Sequence, residues 1–197
     1  MNADLAALIG ARICHDLISP IGAIGNGVEL LTMSAPAGAS PELDLIAESV
    51  RNANARIRFF RIAYGAASKD HIIGRQEVIS VLTATAQGGR FTYFWKIEAD
   101  QSRQLVRIAF LLLQCLETAM PLGGEILVVK DGEQYVITGS GPRLVIDTVL
   151  WDSLTNPNVQ FDHKAAQVQF ALVPSVIADA GRELTISHDA HSITVRF

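Results

Sequence analysis

The sequence predicts an α plus α/β protein: a helical hairpin over residues 1–68, followed by an α+β sandwich over residues 72–197. Three observations predict it. Two segments, from about Asp4 to Met33 and from Leu43 to Tyr64, carry apolar side chains at spacings of three and four, the period of a one-sided helix. Between them, Ser34 to Pro41 is a run of small residues and prolines that suits a short connection. After the glycine-flanked stretch Gly65–Gly74, the helical stripe gives way to mixed strand-like and helix-like segments.

The first helix starts near Asp4, a side chain suited to an N-cap, and its stripe is Leu5, Ile9, Ile13, Leu17, Pro20, Ile24, Val28 and Leu31. At about 100° per residue, His15 points nearly opposite Ile13 and away from that stripe. Leu8, Arg12, Ser19, Gly22 and Asn26 share its side. The second helix repeats apolar residues at Leu43, Ile46, Val50, Ala53, Ile57, Phe60 and Tyr64, an a/d pattern. Two helices cannot bury two seams by themselves. A second copy would close them into a four-helix bundle, which predicts a homodimer; the alternative is that the second domain covers the spare seam.

In the second domain, Val78–Ala86 reads as a short helix and Phe91–Ile97 as an aromatic-rich strand. Gln101–Met120 is a strongly apolar, core-facing helix. Glu125–Lys130 and Gln134–Thr138 flank Asp131-Gly132, a hairpin signal. A helix follows between His163 and Asp179, broken or begun near Pro174, and a last hairpin joins Glu183–Ser187 to Ser192–Phe197. Helices gathered on one face of a mixed sheet make a two-layer sandwich.

Composition narrows the function. The chain has 197 residues, 49% hydrophobic and 18% charged, enough apolar material for a packed core. Its net charge of −4 offers no basic footprint for nucleic acid. Cys14 and Cys115, far apart behind an N-terminus without a basic secretory start, read as reduced thiols and predict a cytoplasmic protein. The apolar run Ile108–Leu113 is too short to span a bilayer, so no membrane partner is expected. Cys14, His15 and Asp16 are consecutive on a helix and point in different directions, so no metal site is expected there.

His15 has two readings. One is an ordinary surface histidine. The other is a nucleophile for a phosphoryl group, because an imidazole with an ordinary pKa of about 6.5 keeps a neutral ring nitrogen near pH 7. Asp16 beside it is placed to hold or accept a ring proton.

The string His15-Asp16-Leu17-Ile18-Ser19-Pro20 resembles the H-box of sensor histidine kinases. The longer run from Ala11 to Ile24, with Asn26-Gly27-Val28-Glu29-Leu30-Leu31 behind it, is similar to the ChpT-type histidine phosphotransferases of alphaproteobacteria. The resemblance is looser after about residue 70. It implies a homodimer built on a four-helix bundle, with a second domain like a histidine-kinase ATPase domain that has lost ATP binding. It implies that His15 takes a phosphoryl group from the receiver domain of a hybrid kinase and passes it to the Asp of response-regulator receivers. Asp16 carries over as the neighbouring acid, and Pro20 as the proline that bends the helix after the phosphosite.

Beside that resemblance, Leu8, Ala11 and Ile18 read as an apolar rim, Gly22 and Ser19 as low-profile contact positions, and Arg12 as the cation that holds a phosphoryl oxygen or a partner carboxylate. Gly22, Ala23, Gly25 and Gly27 keep the helix surface low, or serve close helix packing. Arg51, Arg58 and Arg61 read as a solvated face or as a contact for an acidic partner. His71, His163, His188 and His191 read as structural or solvated.

The apolar helix Gln101–Met120 stands where kinases place an Asn that chelates magnesium, yet it holds no Asn. Glu117 is expected on its wet side. Thr138-Gly139-Ser140-Gly141 echoes a nucleotide-binding glycine loop without its leading Asp, and residues 144–175 contain no glycine for a lid. The nucleotide site is therefore expected to be dead, with no cofactor on this chain and Mg²⁺ supplied by the receiver. Two alternatives remain: an ATP-dependent kinase core, and a non-catalytic dimeric adaptor.

Overall fold

The computed structural model describes residues 3–33, 41–156, 158–159 and 164–197. The expected hairpin connection, apart from Pro41, and His163 lie outside the described residues. Helices α1 (Ala3–Met33) and α2 (Pro41–Ala63) pair along their length. α1 runs unbroken through Pro20, which has no N–H to offer the carbonyl of Asp16 four residues back.

α2 does not end at a free boundary. Phe59, Phe60, Ile62 and Ala63 belong to the same buried core as the rest of the chain. Its end is held from outside: Arg103 donates to Arg61 O at 2.8 Å and Arg107 to Ala63 O at 3.2 Å, and Arg103 also reaches Ala66 O, past the helix, at 3.1 Å. Cations at a helix C-terminus satisfy orphan carbonyls and complement the helix dipole.

Beyond the connection lie β1 (Ile72–Ile73), α3 (Arg75–Ala86), β2 (Phe91–Trp95), β3 (Gln101–Ser102) and α4 (Arg103–Ala119). Then come β4 (Gly124–Asp131), β5 (Gln134–Ser140), α5 (Thr148–Asp152), a 3₁₀ turn (Ala165–Gln167), α6 (Val168–Asp179), β6 (Thr185–His188) and β7 (Ser192–Arg196). α6 continues through Pro174 rather than starting there. The main sheet has the order β2-β4-β5-β7-β6, with β2 and β4 parallel and the other pairs antiparallel. The parallel pair needs a crossover, and α4 supplies it.

α4 is the centre of the core: every residue from Ile108 to Leu116 is buried. Against it the sheet turns Ile126, Val128, Tyr135, Ile137, Ile193 and Val195, the alternate residues of three strands. The β4–β5 turn uses Gly132 at φ +57°, a conformation a side chain rarely adopts. Gly139 answers a different need. A Cβ there would lie 2.9 Å from Met120 Cε, so the glycine lets β5 pack onto the end of α4.

α1 from Leu5 to Leu31 is long and apolar enough, at a mean hydropathy of 1.3, to cross a membrane by length and composition alone. Its apolar residues are divided between two sides. Leu5, Leu8, Ile9 and Ile13 pack on the core, while Ile18, Ile21 and Val28 stay exposed. Of the stripe expected from the sequence, every member but Val28 is half-buried, and the exposed Ile18 and Ile21 lie off it; α6 and the 3₁₀ turn pack against α1.

Candidate phosphotransfer site

His15 lies midway along α1, its side chain 83% exposed. Its Nδ1 stands 3.0 Å from Asp16 Oδ1. The other carboxylate oxygen of Asp16 takes a hydrogen bond from Arg12 Nε at 2.8 Å, an i,i+4 pair on the helix. Arg12 in turn donates through Nη1 to the carbonyl of Ala166 at 2.7 Å. A chain of hydrogen bonds therefore runs from the 3₁₀ turn of the second domain, through Arg12 and Asp16, to the imidazole. Asp16 is only 12% exposed, so its rotamer is held and the contact to Nδ1 is preorganised. Nε2 is left as the ring nitrogen without a protein partner among the described residues.

Below this site, the Tyr93 hydroxyl donates to Glu117 Oε1 at 2.9 Å, and the Tyr64 hydroxyl to Gln114 Oε1 at 2.7 Å. Burial raises the Glu117 carboxyl above its ordinary range, against the pull of the Tyr93 hydroxyl and of Arg12. Burial likewise raises both tyrosines. Glu117 is half-buried: it lines a cleft with Arg12 and Asp16, its carboxyl held by the Tyr93 hydroxyl. Among the described residues no three His, Cys, Asp or Glu side chains converge to hold a metal ion.

Residues 75–192 match the family of the histidine phosphotransferase C-terminal domain. The chain is 32% identical over 199 residues to the protein phosphotransferase ChpT of Brucella abortus (strain 2308), covering 96% of this chain and 93% of that one. It overlays a solved bacterial phosphotransferase with a TM-score of 0.82 at 32% identity, covering all of this chain and 97% of the other. The chain belongs to the histidine phosphotransferase family.

In this phosphotransferase the residues expected around His15 separate into two groups. Ala11, Ile18, Ser19 and Gly22 are exposed with it, and Ile18 is 69% exposed. Leu8 is not a free rim residue, since it packs half-buried against the core. Arg12 is engaged twice, by Asp16 and by the carbonyl of Ala166. Gly27 is buried in the hairpin, whereas a Cβ on Gly22 or Gly25 would meet open space.

Arg58 and Arg61 reach α3, through Ser80 at 3.1 Å and Glu77 at 3.4 Å, so they bridge elements instead of facing solvent alone. Sequence reading missed Arg56, Arg90 and Gln114 beside the site. The one legible signal was Glu117, the single charged residue among residues 108–119; the rest come together only through the fold.

Proposed function

We propose that His15 carries the phosphoryl group and that Nε2 is the atom that bears it. The observation that carries this reading is the Asp16 contact at Nδ1, which leaves an exposed Nε2 as nucleophile. The cycle starts from an aspartyl phosphate on the receiver domain of a hybrid kinase. Nε2 attacks phosphorus in line, the N–P bond forms, and the P–O bond to the receiver carboxylate breaks. The imidazole keeps its Nδ1 proton and becomes cationic, and the Asp16 carboxylate stabilises that charge. Transfer to a response-regulator Asp reverses these steps. Magnesium in this scheme sits on receiver carboxylates, because among the described residues only Asp16 pairs with the histidine.

Its working form in this reading is a cytoplasmic homodimer. Ile21 and Val28 on α1, with Leu43, Val50 and Ile57 on α2, recur at seven-residue intervals and are 40–58% exposed. A second copy would bury that seam in a four-helix bundle. We assign the seam to a second copy and not to lipid because the same helix carries the Arg12–Asp16 pair and packs on α6.

The reading includes no ATP-dependent autokinase activity. Two features support that: α4 has no Asn, and the glycine at 139 faces Met120 and Leu116. The test mixes wild type and His15→Ala with labelled ATP, then with a phosphorylated receiver. Label on wild type from the receiver alone, and none on the variant, supports the reading; label from ATP alone overturns the second domain's assignment.

A further inference from the structure

Beside the phosphotransfer site, a cleft of about 420 Å³ opens between the hairpin and the α3–β2 turn. Three arginines from three separate elements line it: Arg12 on α1, Arg56 on α2 and Arg90 in the turn. Arg12 is offset by Asp16, but Arg56 and Arg90 form no ion pair among the described residues; Arg90 rests only over the Phe91 ring at 5.4 Å. In a chain of net charge −4, free cations converging on one concavity are out of keeping with the rest of the surface. Acidic groups nearby are few: Asp16, held by Arg12 and His15; Glu48, near Gly88; and Glu117 on the floor.

A second observation points to a ligand. The cleft continues into a recess of about 60 Å³ that shares Arg12, Arg56 and Glu117 and is walled by Gln114. Gln114 is 3% exposed, and its Oε1 accepts from Tyr64, yet its Nε2 has no hydrogen-bond partner. A buried amide donor without an acceptor is rare in folded proteins. Gln114 lines the recess and the two guanidiniums line the cleft, and what they lack in common is an acceptor bearing negative charge.

We propose that this cleft binds a small molecule carrying a phosphate or carboxylate group, with Arg56 and Arg90 pairing the anion at the mouth and Gln114 Nε2 donating to it from the recess. Glu117 on the floor accepts from the Tyr93 hydroxyl, and burial raises its carboxyl above the ordinary range, which eases its repulsion of an anion. Because Asp16 forms part of the wall and touches His15, occupancy is sensed next to the phosphotransfer site. The binding claim does not depend on His15 being the phosphoacceptor.

The test titrates the full chain with inorganic phosphate and, separately, with succinate, following the side-chain N–H signals of the arginines and Gln114 by NMR. Saturable shifts of Gln114 Nε2 together with Arg56 and Arg90 are expected. Binding should weaken about tenfold or more in Arg56→Gln/Arg90→Gln, as fits loss of charge-assisted bonds, and persist in His15→Ala. Tighter phosphate binding marks a phosphoryl ligand, and tighter succinate binding a carboxylate. Equal affinity in the double variant, or arginine shifts without Gln114, overturns the site. Protection of these groups by a receiver domain, with neither anion saturating, assigns the cleft to the protein interface and also overturns it.

Discussion

At the residue scale, the proposed chemistry turns on Asp16. Asp16→Asn keeps the shape of the side chain but removes the charge that stabilises an imidazolium, and can present an N–H to Nδ1. It should slow phosphotransfer by about 10²-fold or more, the usual range for a positioned acid or base, with folding intact by circular dichroism; an unchanged rate would remove Asp16 from the mechanism. Glu117 makes a pH prediction. Below about 4.3, its ordinary value, the carboxyl is protonated in both folded and unfolded chains and adds no slope. As pH rises toward the raised folded-state value, the unfolded chain loses its proton first, so Glu117 lowers stability. Glu117→Gln should match wild type in melting temperature at the acidic end and become the more stable protein as pH rises. A constant difference at all pH values would show that Glu117 titrates normally.

Among the elements, α4 and the capped end of α2 hold the structure together. Leu112→Ala on the fully buried face of α4 should cost about 2–5 kcal/mol, the range for emptying such a site, measured by denaturant unfolding. Arg103→Ala removes one bond to the end of α2 and one to the Ala66 carbonyl just beyond it and should cost about 1–3 kcal/mol; no loss would mean that water caps those carbonyls equally well. The sequence made α4, the Gly132 hairpin and both long helices legible, because each repeats a local period or turn signal. It did not show how α1 meets the second domain. α1 packs on α6 and the 3₁₀ turn, and no helical period in α1 encodes that partner. Nor could it show that Arg12 reaches the carbonyl of Ala166, since a backbone acceptor leaves no mark on side-chain pattern. His15 and Asp16 were legible for the opposite reason: adjacent residues on one helix carry their geometry with them.

For the whole molecule, the hairpin and the second domain share one core, and the second domain grips the site through Arg12. A molecule of this kind is a positioning device, in which the far domain fixes the carboxylate that fixes the imidazole. The exposed seam predicts its assembly. Val50→Glu/Ile57→Glu places charges on it and should yield a monomer by light scattering, against the dimer expected of wild type. A wild-type monomer would contradict the four-helix bundle.

The most direct test of the central claim is NMR of the phosphorylated protein, using ³¹P and ¹⁵N signals to locate the phosphoryl group. The account predicts one phosphoramidate, on Nε2 of His15, with Nδ1 still protonated against Asp16. A phosphoryl group on Nδ1, or on any residue other than His15, would contradict it.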